Sequence, residues 1–121
     1  MNAVVDTNIL IDYLNGSTKA RGELARFETI FISLISWMEI LIGTAKGDEE
    51  TQVRAFLGGF QIYPVDEGVA ERAVEIRRRE KIRLPDAVIW ATAQQLGLLL
   101  VTRNSRDFPS RDPGIRIPYK L

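Results

Sequence analysis

Four acidic residues stand beside segments whose patterning predicts regular structure. Asp6 directly follows the β-branched run at residues 3–5, and Glu39 lies in the first turn of a predicted helix. Asp86 lies in the first turn of a later helix, and Asp107 follows a late apolar strand. Carboxylate oxygens are the ligands that hard cations such as Mg²⁺ prefer. The first hypothesis is therefore a reaction assisted by a divalent metal ion.

The composition excludes several other chemistries. Histidine and cysteine are both absent, which rules out a Ser-His-Asp triad, a Cys-His pair and a zinc site built on His or Cys. Hydrolysis by this chain must therefore use carboxylates, lysine, tyrosine or hydroxyl groups. Carboxylates that hold a hard cation are the simplest of these choices.

The order of the predicted elements indicates an α/β domain that spans residues 1–121. Strands separated by helices favour parallel pairing with right-handed crossovers, so we expect a parallel sheet covered by helices on both faces. Pro118 marks the last strand as an edge strand. The strands are predicted at residues 3–5, 30–34, 60–64, 98–101 and 115–117. The helices are predicted at residues 10–16, 18–27, from 36 to an end within 43–47, 49–57, 67–79 and 85–96.

This order of elements predicts that the acids meet. In open α/β sheets, ligands bind at the carboxyl ends of the strands, and Asp6, Glu39, Asp86, Asn104 and Asp107 are all predicted near that edge. Converging carboxylates repel one another unless a cation neutralises them. A group of acids with no basic partner therefore predicts a site for Mg²⁺ or Mn²⁺.

Each acid also has a purely structural interpretation. Asp6 is suited to cap the next helix, and Ser36 with Glu39 matches a capping box, which is the more common role of such a glutamate. Asp86 follows a proline at a helix start, where an acid interacts well with the helix dipole. Asp107 fits a solvated turn. The functional interpretation rests on the joint placement of these acids.

Charge and hydropathy leave the partner open. Basic and acidic residues balance at 16 each, so net charge alone gives no support for nucleic-acid binding, although charge can be segregated on the surface. No apolar run is long enough for a membrane span, and the first residues lack the pattern of a signal peptide. We expect a cytoplasmic protein with no membrane association.

Four segments of the sequence carry distinctive motifs. They are Asp6-Thr7-Asn8 after a strand, Ser36-x-x-Glu39 before Gly43, Leu84-Pro85-Asp86-Ala87 before Ile89 and Ala91, and Val101-Thr102-Arg103-Asn104 with Asp107-Phe108. Any one segment is weakly specific, whereas all of them in this order across nearly the whole chain are fairly specific. Together they resemble the PIN domain family, and the length and opening of the chain resemble its VapC toxins.

The resemblance implies a single PIN domain with an α/β/α sandwich around a central parallel sheet, and a metal-dependent endoribonuclease activity. Asp6, Glu39 and Asp86 match the metal-binding acids of the family. Many members carry a fourth acid where this chain has Asn104, and Asp107 is the nearest acidic substitute. Mg²⁺ is the expected ion and Mn²⁺ a possible substitute, with Asp107 or Asn104 completing a second, weaker metal position.

The resemblance also assigns supporting residues. Thr102 is expected to orient an acid or a water, and Asn8 and Ser36 to support the acids. Phosphate groups of RNA need basic partners, and Arg103 and Arg106, next to the expected site, are the candidates. The basic run at residues 72–83 is another candidate for phosphate contacts, but it is interspersed with glutamates. We therefore favour its interpretation as a solvated helix face with i,i+4 ion pairs such as Glu75–Arg79.

The expected partners are an RNA substrate, a VapB-type antitoxin that inhibits the enzyme, and a second copy of the chain, since relatives dimerise. Trp37, Phe56 and Phe60 are interpreted as core residues, although they are also suited to such contacts.

Three alternatives remain from sequence. A PIN-like RNA- or protein-binding module without activity fits the loss of an acid at Asn104. A phosphoacceptor signalling domain also gathers acids at strand ends, but it usually needs a lysine after a late strand, and none occurs between Lys81 and Lys120. A phosphatase with an aspartate nucleophile places a second aspartate where this chain has Asn8.

Overall fold

Five parallel strands form one sheet in the order β3-β2-β1-β4-β5, in a computed structural model that describes residues 1–120. The strands are β1 (Asn2–Val5), β2 (Thr29–Ser33), β3 (Gln61–Tyr63), β4 (Leu99–Val101) and β5 (Ile115–Arg116). The helices are α1 (Thr7–Leu14), α2 (Thr18–Leu24), α3 (Leu34–Ile42), α4 (Asp48–Leu57), α5 (Glu67–Glu80) and α6 (Leu84–Leu96). The parallel sheet and the edge position of β5 are as predicted.

The central strand β1 divides the protein into two cores. Successive side chains of a strand point to opposite faces, and Val4 packs in a core with α5 and α6. Ala3 and Val5 pack in the other core with α1, α2, α3 and α4. All three side chains are fully buried. Helices therefore cover both faces, which confirms the predicted three-layer α/β/α architecture.

Helices α5 and α6 form a tight hairpin on one face. Lys81 ends α5 in the left-handed conformation, with φ at 57°, so the chain reverses within a three-residue connection to Leu84. Helix α6 is buried almost all round, and Gly97 ends it with φ at 67°. The carboxyl end of α5 thereby lies beside the amino end of α6.

The start of α3 differs from the sequence prediction. The helix begins at Leu34, and Ser33 is its N-cap, with a side chain that accepts a hydrogen bond from Ile35 N. Strand β2 ends at Ser33, where it pairs with Tyr63 of β3. The predicted capping box of Ser36 and Glu39 is therefore wrong.

The ends of two other helices also differ from the predicted bounds. α1 begins at Thr7, and α2 ends at Leu24. Trp37, Phe56 and Phe60 are partly buried against the core, as expected. Within residues 1–120, no helix has the length and apolar character needed to cross a membrane.

Candidate active site

Asp6 lies at the carboxyl end of the central strand and is almost fully buried. Its carboxylate accepts hydrogen bonds from Thr7 N at 2.7 Å, Thr102 Oγ1 at 2.7 Å and Asn8 Nδ2 at 3.2 Å. The first of these makes Asp6 the N-cap of α1. The structural role anticipated for Asp6 is therefore present, and it coexists with a place in the acidic cluster.

Glu39 lies in the second turn of α3, and its carboxylate meets the hydroxyl of Thr7. The Thr7 Oγ1 atom lies 2.8 Å from Glu39 Oε1 and 2.8 Å from Ser36 Oγ. A hydroxyl has one proton to donate. If Thr7 donates that proton to Glu39, it accepts the proton of Ser36. Ser36, which is fully buried, thus supports Glu39 through Thr7, a residue that the sequence analysis did not single out.

Asp86 is the third residue of α6, in its first turn as predicted, and only 5% of its surface is exposed. Arg83, just before the helix, places Nε 3.3 Å from Asp86 Oδ2. The expectation of acids with no basic partner is therefore wrong at this position. Residues three apart at a helix start lie on the same side of the chain, which brings Arg83 to Asp86.

Asn104 and Asp107 hold each other in the loop after β4. Asn104 Nδ2 donates to Asp107 Oδ2 at 2.9 Å, and Asp107 N donates to Asn104 Oδ1 at 3.2 Å. The next residue, Phe108, is fully buried and packs edge-on against Trp90 at 5.8 Å between centroids. The loop is thereby anchored in the core. Asn104 therefore fixes the position of the Asp107 carboxylate.

The four acids lie close enough for their negative charges to affect the pKa of Asp6 and of Asp86. Burial raises the pKa of Asp6 from 3.8 to about 6, and the charges of Asp86 and Glu39 add to this against the hydrogen bonds from Thr102 and Thr7. Burial also raises the pKa of Asp86, and Asp107 adds to it while Arg83 opposes it. Buried carboxylates that resist ionisation are stabilised by a cation.

The donor set fits a hard divalent cation, although the side chains are not arranged around one point. Across residues 1–120, no three acidic side chains are placed to hold an ion together. Glu39 is turned toward Thr7, and Asp86 toward Arg83. A cation held by these acids would require side-chain rotations at Glu39 and Asp86. All the donors are oxygen atoms, as Mg²⁺ prefers.

Arg103 is engaged with the protein. Its guanidinium donates to Asp12 through Nε at 2.6 Å and Nη2 at 3.0 Å, and Tyr119 donates its hydroxyl to the same carboxylate at 2.8 Å. The hydrogen bond to Asp12 raises the pKa of Arg103. The Arg103 N–H donates to Asn8 Oδ1. Asp12 and Tyr119, which the sequence analysis missed, therefore fix the backbone beside Asn8.

Arg106 lies on the exposed loop after β4. In the described part of the chain it makes no ion pair. An open cleft of about 430 Å³ lies beside it, lined by Asn8, Arg103, Asn104, Ser105 and Arg106. Asn8 and Asn104 in its lining donate hydrogen bonds to Asp6 and Asp107. Because Arg103 is held by Asp12, Arg106 is the freer of the two predicted phosphate contacts.

A family model for the PIN domain matches residues 3–112. The chain belongs to the PIN domain family. Ribonuclease VapC10 of Mycobacterium tuberculosis is 35% identical over 114 residues, which cover 88% of this chain and 85% of that protein. At this identity and coverage, the chain groups with the VapC proteins. The PIN assignment sets aside the phosphoacceptor and phosphatase alternatives.

Solved structures agree with this assignment. A toxin–antitoxin complex from Klebsiella pneumoniae contains a chain with a TM-score of 0.93 and 42% identity, over 98% of this chain and 99% of that one. FitAcB from Neisseria gonorrhoeae gives a TM-score of 0.80 and 26% identity over the full length of both chains. Both matches span at least 98% of this chain.

Proposed function

We propose that this chain is a Mg²⁺-dependent endoribonuclease and the toxin of a VapBC-type pair, with Mn²⁺ as a possible substitute ion. The observation that carries the proposal is the group of Asp6, Glu39, Asp86 and Asp107 at one edge of the sheet, where burial raises the pKa of two of them. The likeness to a protein named Ribonuclease VapC10 supports RNA as the substrate.

The carboxylates of Asp6, Glu39 and Asp86 would hold the ion, with Asp107 or Asn104 contributing a second, weaker position. A divalent cation supplies Lewis-acid stabilisation of the charge that builds on a phosphodiester during hydrolysis. The protein supplies orientation: Thr102 fixes Asp6 at 2.7 Å, and Thr7 fixes Glu39 at 2.8 Å. Supporting hydrogen bonds of this kind keep site acids in a defined geometry.

A protein partner is part of the proposal. A groove of about 360 Å³ between α1, α3 and α4 has Ile11, Leu14 and Val53 in its lining and meets the site at Glu39. Its lining also contains Glu49, so the groove combines apolar side chains with acids and fits a peptide segment with apolar anchors and a basic residue. We propose the cognate antitoxin as its occupant and inhibitor, and we propose that the toxin forms a homodimer.

The decisive experiment is cleavage of a panel of structured RNAs with Mg²⁺ and with chelator, comparing wild type, Asp6→Asn and Asp86→Asn. The matched control is Asp48→Asn, because Asp48 is an exposed acid on α4. We expect metal-dependent cleavage by wild type and the control, and its loss in both site variants.

Two results would contradict the proposal. Cleavage that survives both site substitutions would place the reaction elsewhere or indicate a contaminant. If folded, antitoxin-free protein cleaved no RNA with either Mg²⁺ or Mn²⁺, the alternative of a catalytically inactive PIN-like binding module would be favoured.

A further inference from the structure

Positive charge is segregated at the α5–α6 hairpin. Residues 77–83 contain five basic residues and one acid, whereas the whole chain has no net charge. The last turn of α5 carries three of these arginines. Because α5 ends beside the start of α6, this basic segment lies at the same edge of the protein as Asp86.

Most of these cations are available to a ligand. Arg79 pairs with Glu80 at 3.0 Å and lies over the Trp90 ring, so it belongs to the protein's own packing. Arg77, Arg78 and Lys81 are exposed and make no ion pair within residues 1–120. The interpretation of this run as a face of i,i+4 pairs is wrong for Glu75 and Arg79, since Arg79 pairs with its neighbour.

Arg83 connects the basic segment to the acids. Its side chain is 71% exposed although it touches the buried Asp86 at 3.3 Å. Glu39 and Asp107 also exert their charge on it. Because most of the Arg83 side chain lies in solvent, this ion pair is weakly held. If Asp86 instead ligated a divalent cation, the guanidinium of Arg83 would be free, and its planar fork matches the oxygens of a phosphate group.

We propose that Arg83 binds an RNA phosphate next to the scissile bond, and that Arg77, Arg78 and Lys81 continue this contact along the backbone of the RNA. The inference rests on the proposed ribonuclease function and adds the path of the substrate across the hairpin. It assigns Arg83 to substrate binding, with a guanidinium that moves between Asp86 and the phosphate.

The test compares wild type, Arg83→Gln and Arg83→Lys, with Arg111→Gln as the control. Arg111 is exposed and makes no ion pair in the described residues. It precedes β5, so it lies at the amino ends of the parallel strands, whereas the acids lie at their carboxyl ends. Binding of a fluorescein-labelled RNA hairpin is measured by anisotropy across a salt series, with saturating Ca²⁺ in place of Mg²⁺ and gel electrophoresis to check that the RNA stays intact. Cleavage in Mg²⁺ is measured separately.

We expect Arg83→Gln to weaken RNA binding roughly three- to thirtyfold and to lower the slope of log K against log salt by about 0.7–0.9, the value for one lost phosphate contact. Its KM should rise more than its kcat falls. Arg83→Lys, which keeps the charge, should restore most of the slope, and Arg111→Gln should match wild type.

Other outcomes separate the two proposals. Cleavage by wild type with an unchanged salt slope in Arg83→Gln would overturn the role of Arg83 and leave the nuclease standing. Faster cleavage by Arg83→Gln at low Mg²⁺ would show that Arg83 only blocks the site, and would also overturn that role. RNA that is bound with the Arg83-dependent slope but never cleaved would support Arg83 and contradict the nuclease. Wild type that binds no RNA would overturn both.

Discussion

Thr102 Oγ1 donates a 2.7 Å hydrogen bond to Asp6 Oδ2 between the carboxyl ends of the adjacent strands β1 and β4. The register of the sheet explains this contact. Val5 pairs with Val101 at the ends of β1 and β4, so the residues that follow them, Asp6 and Thr102, lie side by side. Asp6 N also donates to Val101 O at 2.9 Å. A threonine after β4 is therefore aimed at the acid after β1 by the sheet itself.

Replacement of Thr102 by valine should lower the metal-dependent cleavage rate by about 10–100-fold, the usual cost of losing a supporting hydrogen bond to a metal ligand. The hydrogen bond holds the pKa of Asp6 down, so its loss should move the acid limb of the pH–rate profile to higher pH. Thr102→Ser keeps the hydroxyl and is the matched control. An unchanged profile in the valine variant would show that Thr102 does not tune Asp6.

Without metal, Asp6 should make the protein less stable as the pH rises. Its folded pKa of about 6 lies above the unfolded value of 3.8, so the folded state binds the proton more tightly. The stabilisation is complete below about pH 4 and is lost as pH rises through 6. The loss is about 3 kcal/mol.

Chemical denaturation in chelator at pH 4 and pH 7 measures this effect. Asp6→Asn cannot ionise, so the difference between the wild-type and variant curves isolates Asp6 from the other acids. A wild-type free energy of unfolding that follows the variant across this range would place the pKa of Asp6 near its ordinary value.

Divalent metal should reverse this penalty. A ligand that binds the folded state alone stabilises it by about 2.7 kcal/mol at a hundred times its Kd. We therefore expect Mg²⁺ or Mn²⁺ to raise the unfolding temperature of wild type, and to have little effect on Asp6→Asn or Asp86→Asn. Differential scanning fluorimetry checks this, with the exposed Asp48→Asn as control. An equal rise in all four proteins would indicate nonspecific ion effects.

The sequence was sufficient to place Asp6 and Asp86, because the edge of a parallel sheet collects whatever follows each strand or begins the next helix. The sequence did not predict the turn of α3 in which Glu39 lies or the partner of its carboxylate. Two serines near the start of α3 both fit an N-cap, and the end of β2 at Ser33 selects between them. The partner of Glu39 is Thr7, which is 32 positions away in sequence and meets it through the packing of α1 on α3.

Side-chain pairing was the least predictable property. From sequence, Arg103 is a predicted phosphate contact and Arg83 belongs to a basic run interpreted as solvated. In the structure, Arg103 is held by both oxygens of the buried Asp12, and Arg83 touches Asp86 while remaining 71% exposed. The difference arises because Asp12 on α1 and Tyr119 near the chain's end converge on Arg103 from distant segments. No local pattern records that convergence.

The Asp12–Arg103 pair provides the last prediction. Because two of its three guanidinium nitrogens donate to Asp12, we expect Arg103→Gln to act through the structure. It leaves the buried Asp12 with Tyr119 as its remaining donor, which costs about 1–3 kcal/mol for a buried group that loses a hydrogen-bond partner. It also loosens the contact of the Arg103 N–H with Asn8, which lowers kcat. Denaturation and steady-state kinetics measure these two effects.

Arg106→Gln is the matched comparison, since Arg106 lies on the same loop and is exposed without an ion pair among the described residues. It should leave stability unchanged and reduce the salt dependence of RNA binding. A reduced salt slope with normal stability in Arg103→Gln would instead show that Arg103 leaves Asp12 to bind phosphate, as the sequence alone predicted. The two variants are thus distinguished by the quantity that changes: the free energy of unfolding for Arg103→Gln and the salt dependence of RNA binding for Arg106→Gln.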